Sequence, residues 1–497
     1  MITVKHTQSI LLRTLLAMAI ALCSLASVAQ TDRIPLPDMG NSASGILSQK
    51  EERQYAQALL RQMRALDVLV DDPLINDYFQ SMGFRLVAQS DKPDKEFHFV
   101  VLDESRINAF AAPGGVIALH SGLILAADNE HEVAGVLAHE VAHITQLHLY
   151  RALESSQRMT VPIALAMLGL ILAGGGSGEA VQGALMGGTA MSQQMQINFT
   201  RHNEYEADRI GITTLSLAGY DPEGMAGFFS KLQRLTRPNG EGPPEFLRTH
   251  PVSVNRIAEA RNRAQNLPRV QPGNGLDFLI MQSRLRAMAE SKPVDAIAWF
   301  RDQLDQGHTQ ARDKALKYGL AIALQRHTEY DEARALLQEL LAEEPDRLAY
   351  QLQMSDLYLD EDRDEYAIEI LGSLYHSFPG NHAIAMQYAK ALLANEDPQR
   401  AETASIILRQ QILYRDEDPA LFALYARSAN IAGDKVRATE AIAESYYQRG
   451  GIKEAIEQLE RLTQKEDLDY YERSRVSARL MEMRIEIADM RDGERNS

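Results

Sequence analysis

The sequence predicts a mostly α-helical protein, in which an α+β domain with a small sheet precedes an α-solenoid of helical repeats. Three observations predict this class. Apolar residues recur at helical spacing over most of the chain, two segments rich in β-branched residues lie at 97–105 and 114–124, and a 34-residue period runs through the second half. At 497 residues the chain is too long for one compact core, so two or three domains are expected.

Composition excludes several classes of function. Lys and Arg number 51 and Asp and Glu number 68, which gives a formal net charge of −17. A surface this acidic would repel phosphate backbones, so we expect no nucleic-acid partner. The single cysteine excludes an intramolecular disulfide and a cysteine-based zinc ribbon.

The first 29 residues have the composition of a secretory signal peptide. Lys5 and Arg13 precede an apolar run that ends in small residues at Ala29. A retained membrane anchor is the alternative, but the run is shorter than the roughly 20 residues of a membrane span. We expect cleavage after Ala29, which removes Cys23 and yields an exported chain without cysteine.

Composition divides the remaining chain into four segments. Residues 30–48 are polar and contain Pro and Gly, as in an extended arm, and residues 49–265 form the first domain, with helices around the two predicted strands. Residues 266–276 have the composition of a linker, and residues 277–497 are almost entirely helix formers. Without cysteine in the mature chain, packing alone must hold the domain junction.

The second domain carries a period typical of tetratricopeptide repeats. Small and apolar residues recur at fixed places, and Pro345 and Pro379 end two successive units 34 residues apart. Such repeats stack into a curved solenoid whose concave face holds extended partners. An ordinary helical bundle is the alternative. The residues that fill the repeated places include Ala321, Ala333, Leu337, Ala367, Leu371, Ala389, Ala401, Leu408, Ala443, Tyr446, Ala455 and Leu459.

A candidate zinc site lies in the segment His139-Glu140-Val141-Ala142-His143. Four residues of helix turn through about 400°, so the two histidines lie on one face, one turn apart, and can bind one Zn²⁺ together. Glu140 lies beside them, where it can take a proton from a water molecule that the metal activates. A solvated helix with two accidental histidines is the alternative.

A catalytic zinc site needs a third protein ligand. His148 is nine residues, about 900° of helix, from His139, so its side chain is predicted to point away from the ligand face. Glu204 is the best candidate and Glu206 its rival, because side chains two residues apart on a helix point about 200° apart and cannot both ligate. Asp208, one turn after Glu204, is suited to accept a hydrogen bond from a ligating histidine. A solvated acidic face is the alternative.

The segments HEVAH, EYEADRIG and THPVSVNRI together resemble the gluzincin metallopeptidases of the HtpX and CAAX-prenyl-protease kind. The resemblance implies a zincin-like fold for the first domain and one Zn²⁺ per chain. It also implies that Glu204, rather than Glu206, is the third ligand and that Asp208 belongs to the catalytic site. His250 and Arg256 match family positions close to the active site.

Three roles are open for His250, which follows a loop rich in Gly and Pro. It can stabilise the oxyanion that forms when water attacks a peptide carbonyl. It can occupy the fourth zinc position and keep the enzyme inactive until the loop moves. It can also cap a helix without any chemical role. We predict that its imidazole lies close to the metal centre in the resting form.

Two further segments are candidates for contacts with substrate or membrane. By resemblance, an edge strand near Asn108 and Ala109 binds the extended substrate; an ordinary turn is the alternative. Residues 161–188 are apolar and rich in Gly. We expect them to form a buried hairpin or a mobile flap that touches lipid or unfolded clients, although integral membrane relatives have helices around this position.

In architecture the chain is similar to periplasmic proteases of Gram-negative bacteria that act in outer-membrane protein assembly. The resemblance implies a periplasmic location, the β-barrel assembly machinery as a partner, and residues 161–188 as a candidate peripheral membrane contact. The predicted function is a zinc endopeptidase that degrades unfolded or misassembled outer-membrane proteins and assists their assembly. The alternative is a non-catalytic chaperone or docking scaffold with a vestigial zinc site.

Overall fold

The computed structural model describes residues 47–155, 201–235, 243–270, 275–466 and 468–496. The predicted signal peptide, the apolar segment 161–188 and all but the last two residues of the predicted arm lie outside these ranges. Within them the chain is mostly helical and contains a three-stranded sheet, which confirms the predicted fold class. None of the helices described there combines the length and the apolar character that a membrane crossing requires.

The N-terminal part of the described chain surrounds a small sheet with helices. Its elements, in chain order, are α1 (Gln49–Ala65), α2 (Pro73–Val87), β1 (His98–Leu102), β2 (Ala109–Ala112), β3 (Val116–His120), α3 (Ser121–Ala126), α4 (Glu130–Thr145), α5 (His148–Ser155), α6 (Arg201–Leu217), α7 (Glu223–Leu235), α8 (Glu245–Thr249) and α9 (Val254–Gln265).

The sheet has β3 at its centre, with β1 parallel to it and β2 antiparallel. The sequence pattern predicts β1 and β3, and the resemblance implies an edge strand near Asn108 and Ala109. The strand β2 lies there and pairs with β3 from Ala109 opposite Leu119 to Ala112 opposite Val116. Pairing with a buried neighbour outweighs the weak strand preference of alanine. β2 therefore forms one edge of the described sheet.

Helix α4 lies at the centre of the N-terminal part. The Asn129 side chain caps its first turn by accepting a hydrogen bond from the Glu132 backbone N–H at 3.2 Å. Helices α6 and α7 pack against it so closely that a Cβ atom at Gly135 would lie 2.8 Å from the backbone of Met225. The helix is therefore buried along almost its whole length, including its polar residues.

His120, at the end of β3, is buried, and we expect it to make the fold sensitive to acid. Burial and the nearby Arg106 guanidinium together lower the pKa of His120 to about 4, although Glu104 and a backbone hydrogen bond at Arg106 oppose the shift. Below pH 6.5 the unfolded chain binds a proton that the folded chain does not bind until about pH 4. Stability therefore falls as the pH falls through this window.

The variant His120→Phe should lose this acid sensitivity, because Phe keeps the ring that contacts Phe110 edge-on and cannot be protonated. Between pH 7 and pH 5 the unaltered protein is expected to lose about 2 kcal/mol of unfolding free energy that the variant keeps. Urea unfolding at the two pH values measures this difference. Equal losses in both proteins would contradict the assignment.

The C-terminal part of the described chain consists of helices, each packed against the next. Most of the small residues that the 34-residue period places at helix contacts are fully buried, whereas Tyr446 is 41% exposed. The helices are α10 (Leu276–Ala289), α11 (Pro293–Asp305), α12 (Gln310–Arg326), α13 (Tyr330–Glu343), α14 (Leu348–Asp360), α15 (Asp364–Ser377), α16 (His382–Leu392), α17 (Pro398–Ile412), α18 (Pro419–Ile431), α19 (Lys435–Gln448), α20 (Ile452–Thr463) and α21 (Tyr470–Asn496).

The two parts share one hydrophobic core, which continues from Val70 in the N-terminal part to Leu357 in the repeats. A buried ion pair crosses the junction: the Arg284 guanidinium of α10 donates through Nη2 to Asp72 Oδ2 at 2.6 Å and through Nε at 2.9 Å. Gln282 of the same helix donates to the carbonyls of Ile124, in α3, and of Ala127, directly after it. Hydrogen bonds and an ion pair therefore hold the junction together with packing, which corrects the expectation that packing alone does so.

The last helices of the repeat array contact α1. The Arg61 guanidinium of α1 donates to Glu486 in α21 at 2.5 Å, and Arg64 donates to the Gln448 carbonyl at 3.4 Å. A cavity of about 500 Å³ lies between α1 and the helices α18, α19 and α21, and charged side chains from both sides line it. Helix α1 therefore contacts the far end of the repeat array as well as the sheet.

Candidate metal centre

Four elements bring the predicted site residues together. Helix α4 carries His139, Glu140 and His143, and α6 carries Glu204 and Asp208. The residue after α8 is His250, and α9 carries Arg256. Each of these residues is at most 5% exposed. Polar groups are stable at this depth when hydrogen bonds or a bound ion compensate them, so the cluster requires partners within the site.

Four ligand-type residues converge: His139, His143, Glu204 and His250 each offer an atom, and all these atoms lie within 4.8 Å of one another. The Nε2 atoms of His139 and His143 are 3.0 Å apart, and His250 Nδ1 lies 3.4 Å from His139 Nε2. The Glu204 oxygens lie 3.1 Å from His250, 3.4 Å from His143 and 3.6 Å from His139.

These separations fit a zinc ion. With ligand bonds of about 2.0 to 2.1 Å, the corners of a zinc tetrahedron lie about 3.3 Å apart. Five distances between donor atoms, from 3.0 to 3.6 Å, lie near that value; Glu204 contributes Oε1 to the pairs with His143 and His250 and Oε2 to the pair with His139. Three nitrogens and one carboxylate oxygen are also ligands that zinc prefers. The residues present therefore suit zinc in number, in kind and in spacing.

The charges around the cluster also favour a cation. The site holds three carboxyl groups, those of Glu140, Glu204 and Asp208, and one guanidinium, that of Arg256. Burial lowers the pKa of His139, but the hydrogen bonds that its imidazole donates to Asp208 and Glu204 outweigh it and raise the pKa to about 9. A divalent cation would stabilise these carboxylates more than a single proton does.

Asp208 and Arg256 hold the first histidine and the carboxylate in place. Asp208 Oδ1 lies 3.0 Å from His139 Nδ1, which leaves Nε2 directed toward the cluster. Arg256 donates to Asp208 through Nε and Nη2, each at 2.7 Å, and through Nη1 to Glu204 Oε2 at 2.6 Å. Burial raises the pKa of the Asp208 carboxyl, but Arg256 and His139 outweigh it and lower the pKa. Arg256 thus bridges both acids, a contact that the sequence did not specify.

His148 and Glu206 lie on the other side of His143. As expected, His148 is not in the ligand cluster, but the helical extrapolation behind that expectation does not hold. Helix α4 ends at Thr145 and Leu147 has a φ of 56°, so the chain turns and brings His148 Nδ1 to 2.8 Å from His143 Nδ1. Glu206, the rival ligand, instead contacts His148 Nε2 at 3.0 Å.

The predicted substrate residues Asn108 and Ala109 lie at the start of the edge strand β2, and both are buried. The Asn108 carbonyl accepts a hydrogen bond from the His120 N–H at 3.1 Å, and its side-chain Oδ1 has no hydrogen-bond partner among the described residues. The preceding residue, Ile107, accepts a hydrogen bond from the Phe246 N–H at 3.1 Å. The beginning of β2 is therefore joined to α8, the helix that ends at His250.

Glu140 lies between the strand and the cluster and is fully buried. Its Oε1 is 3.5 Å from His250 Nε2, and neither of its carboxylate oxygens has a hydrogen-bond partner among the described residues. Burial raises the pKa of the Glu140 carboxyl, while the nearby His250 and His139 imidazoles oppose that effect. A carboxyl group with a raised pKa, beside the cluster but outside it, is suited to accept and return a proton.

Comparisons with known proteins identify the family. Residues 73–264 match peptidase family M48. The chain is also 35% identical over 449 residues to the β-barrel assembly-enhancing protease of Escherichia coli (strain K12), across 90% of this chain and 91% of that relative. The chain belongs to peptidase family M48. All the residues of the cluster lie within the range matched to M48.

Other relatives agree with this assignment. The chain is 30% identical over 190 residues to the mitochondrial metalloendopeptidase OMA1 of Arabidopsis thaliana, across 38% of this chain and 36% of that relative. As a member of family M48, the protein is a metallopeptidase, and its cofactor is zinc, which the buried His/His/Glu/His cluster is able to hold. These findings confirm the enzyme class and the cofactor that the sequence predicts.

Proposed function

We propose that this M48 protein is an exported zinc endopeptidase in which His139, His143 and Glu204 hold the metal and Glu140 transfers protons. The convergence of the ligand atoms within 4.8 Å of one another, with Glu140 beside them, carries the proposal. Its substrates are misfolded or misassembled outer-membrane proteins, and its location is the periplasm. The predicted signal peptide and the relatives named for β-barrel assembly support these two points.

Each residue around the cluster has a defined task. When bound, zinc lowers the pKa of a water molecule toward about 7 and polarises the peptide carbonyl. Glu140 accepts the proton that the water loses and returns it to the leaving amine. Asp208 keeps the proton of His139 on Nδ1, so that Nε2 stays free to ligate. The edge strand β2, which begins at Ala109 directly after Asn108, aligns an extended substrate by backbone hydrogen bonds.

His250 supports a resting state of the enzyme. Its Nδ1 lies 3.4 Å from His139 Nε2 and 3.1 Å from Glu204 Oε1, so its imidazole takes the place that water and the substrate carbonyl would need. Its backbone N–H caps α8 by donating to the Phe246 carbonyl at 2.8 Å, so the cap does not depend on the imidazole. We therefore favour the inhibitory role among the three open roles, with a movement of α8 as the activating step.

The repeat array supports a second task for the same protein. Relatives are named for enhancing β-barrel assembly, and arrays of helical repeats present a long concave surface to extended partners. We propose that the C-terminal part docks on the β-barrel assembly machinery and holds unfolded clients near the metal centre. The shared core holds the two parts against each other, and so does the ion pair between Arg284 and Asp72.

Metal analysis combined with a digestion assay tests the proposed function. The purified protein is expected to contain one zinc per chain and to cleave casein or a misfolded outer-membrane protein. A chelator should stop cleavage, and added zinc should restore it. Cleavage by the metal-free protein, or a protein that binds no zinc, would contradict the proposal.

A further inference from the structure

We propose that His148 and Glu206 form a hydrogen-bonded relay that positions His143 as a metal ligand. The inference rests on the proposed assignment of His143 to the metal. His148 is fully buried, and its Nδ1 lies 2.8 Å from His143 Nδ1. Its Nε2 lies 3.0 Å from Glu206 Oε2, and Arg151 Nη2 donates to the same oxygen at 3.0 Å. The chain of contacts thus runs from the cluster outward to a carboxylate that an arginine holds.

The protons along this chain have one consistent arrangement. His143 directs Nε2 at the cluster, 3.0 Å from His139 Nε2, so a neutral ring that ligates through Nε2 carries its hydrogen on Nδ1. That hydrogen is donated to His148 Nδ1, which must therefore be the acceptor. His148 then carries its own hydrogen on Nε2 and donates it to Glu206. Each ring thereby fixes the tautomer of the next.

The two metal-binding histidines are supported in parallel ways. His139 Nδ1 contacts Asp208, and Arg256 holds that carboxylate. His143 reaches its carboxylate, Glu206, through His148. Carboxylate partners of this kind orient a ligating imidazole and raise its basicity, and their removal typically lowers metal affinity about 10- to 100-fold. The left-handed backbone at Leu147 starts α5 in the position that lets His148 fill this role.

Replacement of His148 tests the relay through metal affinity. His148→Phe fills the same space but leaves the His143 Nδ1 hydrogen without its acceptor, and we expect zinc affinity to fall about 10- to 100-fold. Competition with a chromophoric chelator measures this affinity, and the visible spectrum of the cobalt-substituted protein reports the ligand geometry. His382→Phe is the matched control, because His382 is equally buried and lies 3.1 Å from the Asp418 carboxylate, in the repeats.

Two conservative variants separate positioning from general packing. His148→Asn places a side-chain oxygen near the position of Nδ1 and should keep most of the affinity, whereas His148→Gln reaches toward Glu206 instead and should keep less. Should His148→Phe fail to fold, Glu206→Gln provides the test, since its side chain is 19% exposed and its loss should weaken zinc binding with little effect on folding.

The outcomes distinguish the relay from the proposed function. Zinc affinity and cobalt spectra unchanged in both His148→Phe and Glu206→Gln, beside an unaltered protein that binds zinc, would overturn the relay and leave the peptidase assignment standing. An affinity loss in His382→Phe equal to that in His148→Phe would also overturn it. An unaltered protein that binds no zinc would overturn the proposed function first, and the relay with it.

Discussion

Replacing Glu140 with Gln is expected to abolish peptide cleavage and to leave zinc bound. The Glu140 carboxylate is fully buried beside the cluster, 3.5 Å from His250 Nε2, but it is not one of the four converging donors. Gln has nearly the same shape and cannot accept a proton near neutral pH. The loss of proton transfer should lower the cleavage rate at least about 10²- to 10⁴-fold. The rate of casein digestion and the zinc content of the purified variant measure the two effects.

A control on the same helix shows whether the loss is specific. Glu132 is also buried on α4 and is paired with Lys231 at 3.3 Å, so Glu132→Gln removes a buried carboxylate far from the predicted chemistry. It should retain cleavage. Full activity in Glu140→Gln would contradict the assignment of this residue as the proton-transferring group.

The same variant separates peptidase from scaffold in cells. A non-catalytic docking platform would assemble outer-membrane proteins equally well with Glu140→Gln, whereas cells lacking the whole protein would show the defect. A pure peptidase would give the same defect in both strains. We expect cells with Glu140→Gln to show a smaller assembly defect than cells lacking the protein, because the variant loses cleavage but keeps the proposed docking function of the repeats.

The local part of the site was predictable because helical geometry is local. The spacing of His139 and His143 defines one face of α4 without any knowledge of the rest of the fold. Asp208, which lies one turn after Glu204 and was expected to accept a hydrogen bond from a ligating histidine, lies 3.0 Å from His139 Nδ1. The choice between Glu204 and Glu206 needed a resemblance, because two acids on one helix differ only in what the helix packs against.

The contacts that the sequence did not predict depend on where helices end and on residues far apart in the chain. A helix continued past Thr145 predicts that His148 points away from the ligand face. His148 is outside the cluster, but the left-handed backbone at Leu147 turns the chain so that His148 contacts His143. The junction between the two parts also depends on a contact that the sequence pattern does not predict. Composition marks residues 266–276 as a linker, but the Arg284–Asp72 ion pair joins positions 212 residues apart, and no local pattern records it.

Replacing Glu204 with Gln is expected to remove zinc and cleavage together. Gln keeps the size of the side chain but loses the negative charge that faces His139, His143 and the metal. Zinc affinity should fall by about 100-fold or more, beyond the usual effect of losing an outer hydrogen-bond partner. The fold should persist, because Arg256 retains two hydrogen bonds to Asp208, each of 2.7 Å. Chelator competition measures the affinity, and thermal unfolding of the metal-free protein checks the fold.

Glu206→Gln, two residues along the same helix, is the matched comparison for Glu204→Gln. If Glu204 is the ligand, Glu206→Gln weakens zinc binding only through His148 and by a smaller factor. If Glu206→Gln lowered zinc affinity more than Glu204→Gln does, Glu206 would be the ligand, and the assignment of Glu204 as the ligand would be wrong. Comparison with Glu140→Gln then separates the two functions of carboxylates in this site. One variant keeps the metal and loses proton transfer, whereas the other loses the metal on which proton transfer depends.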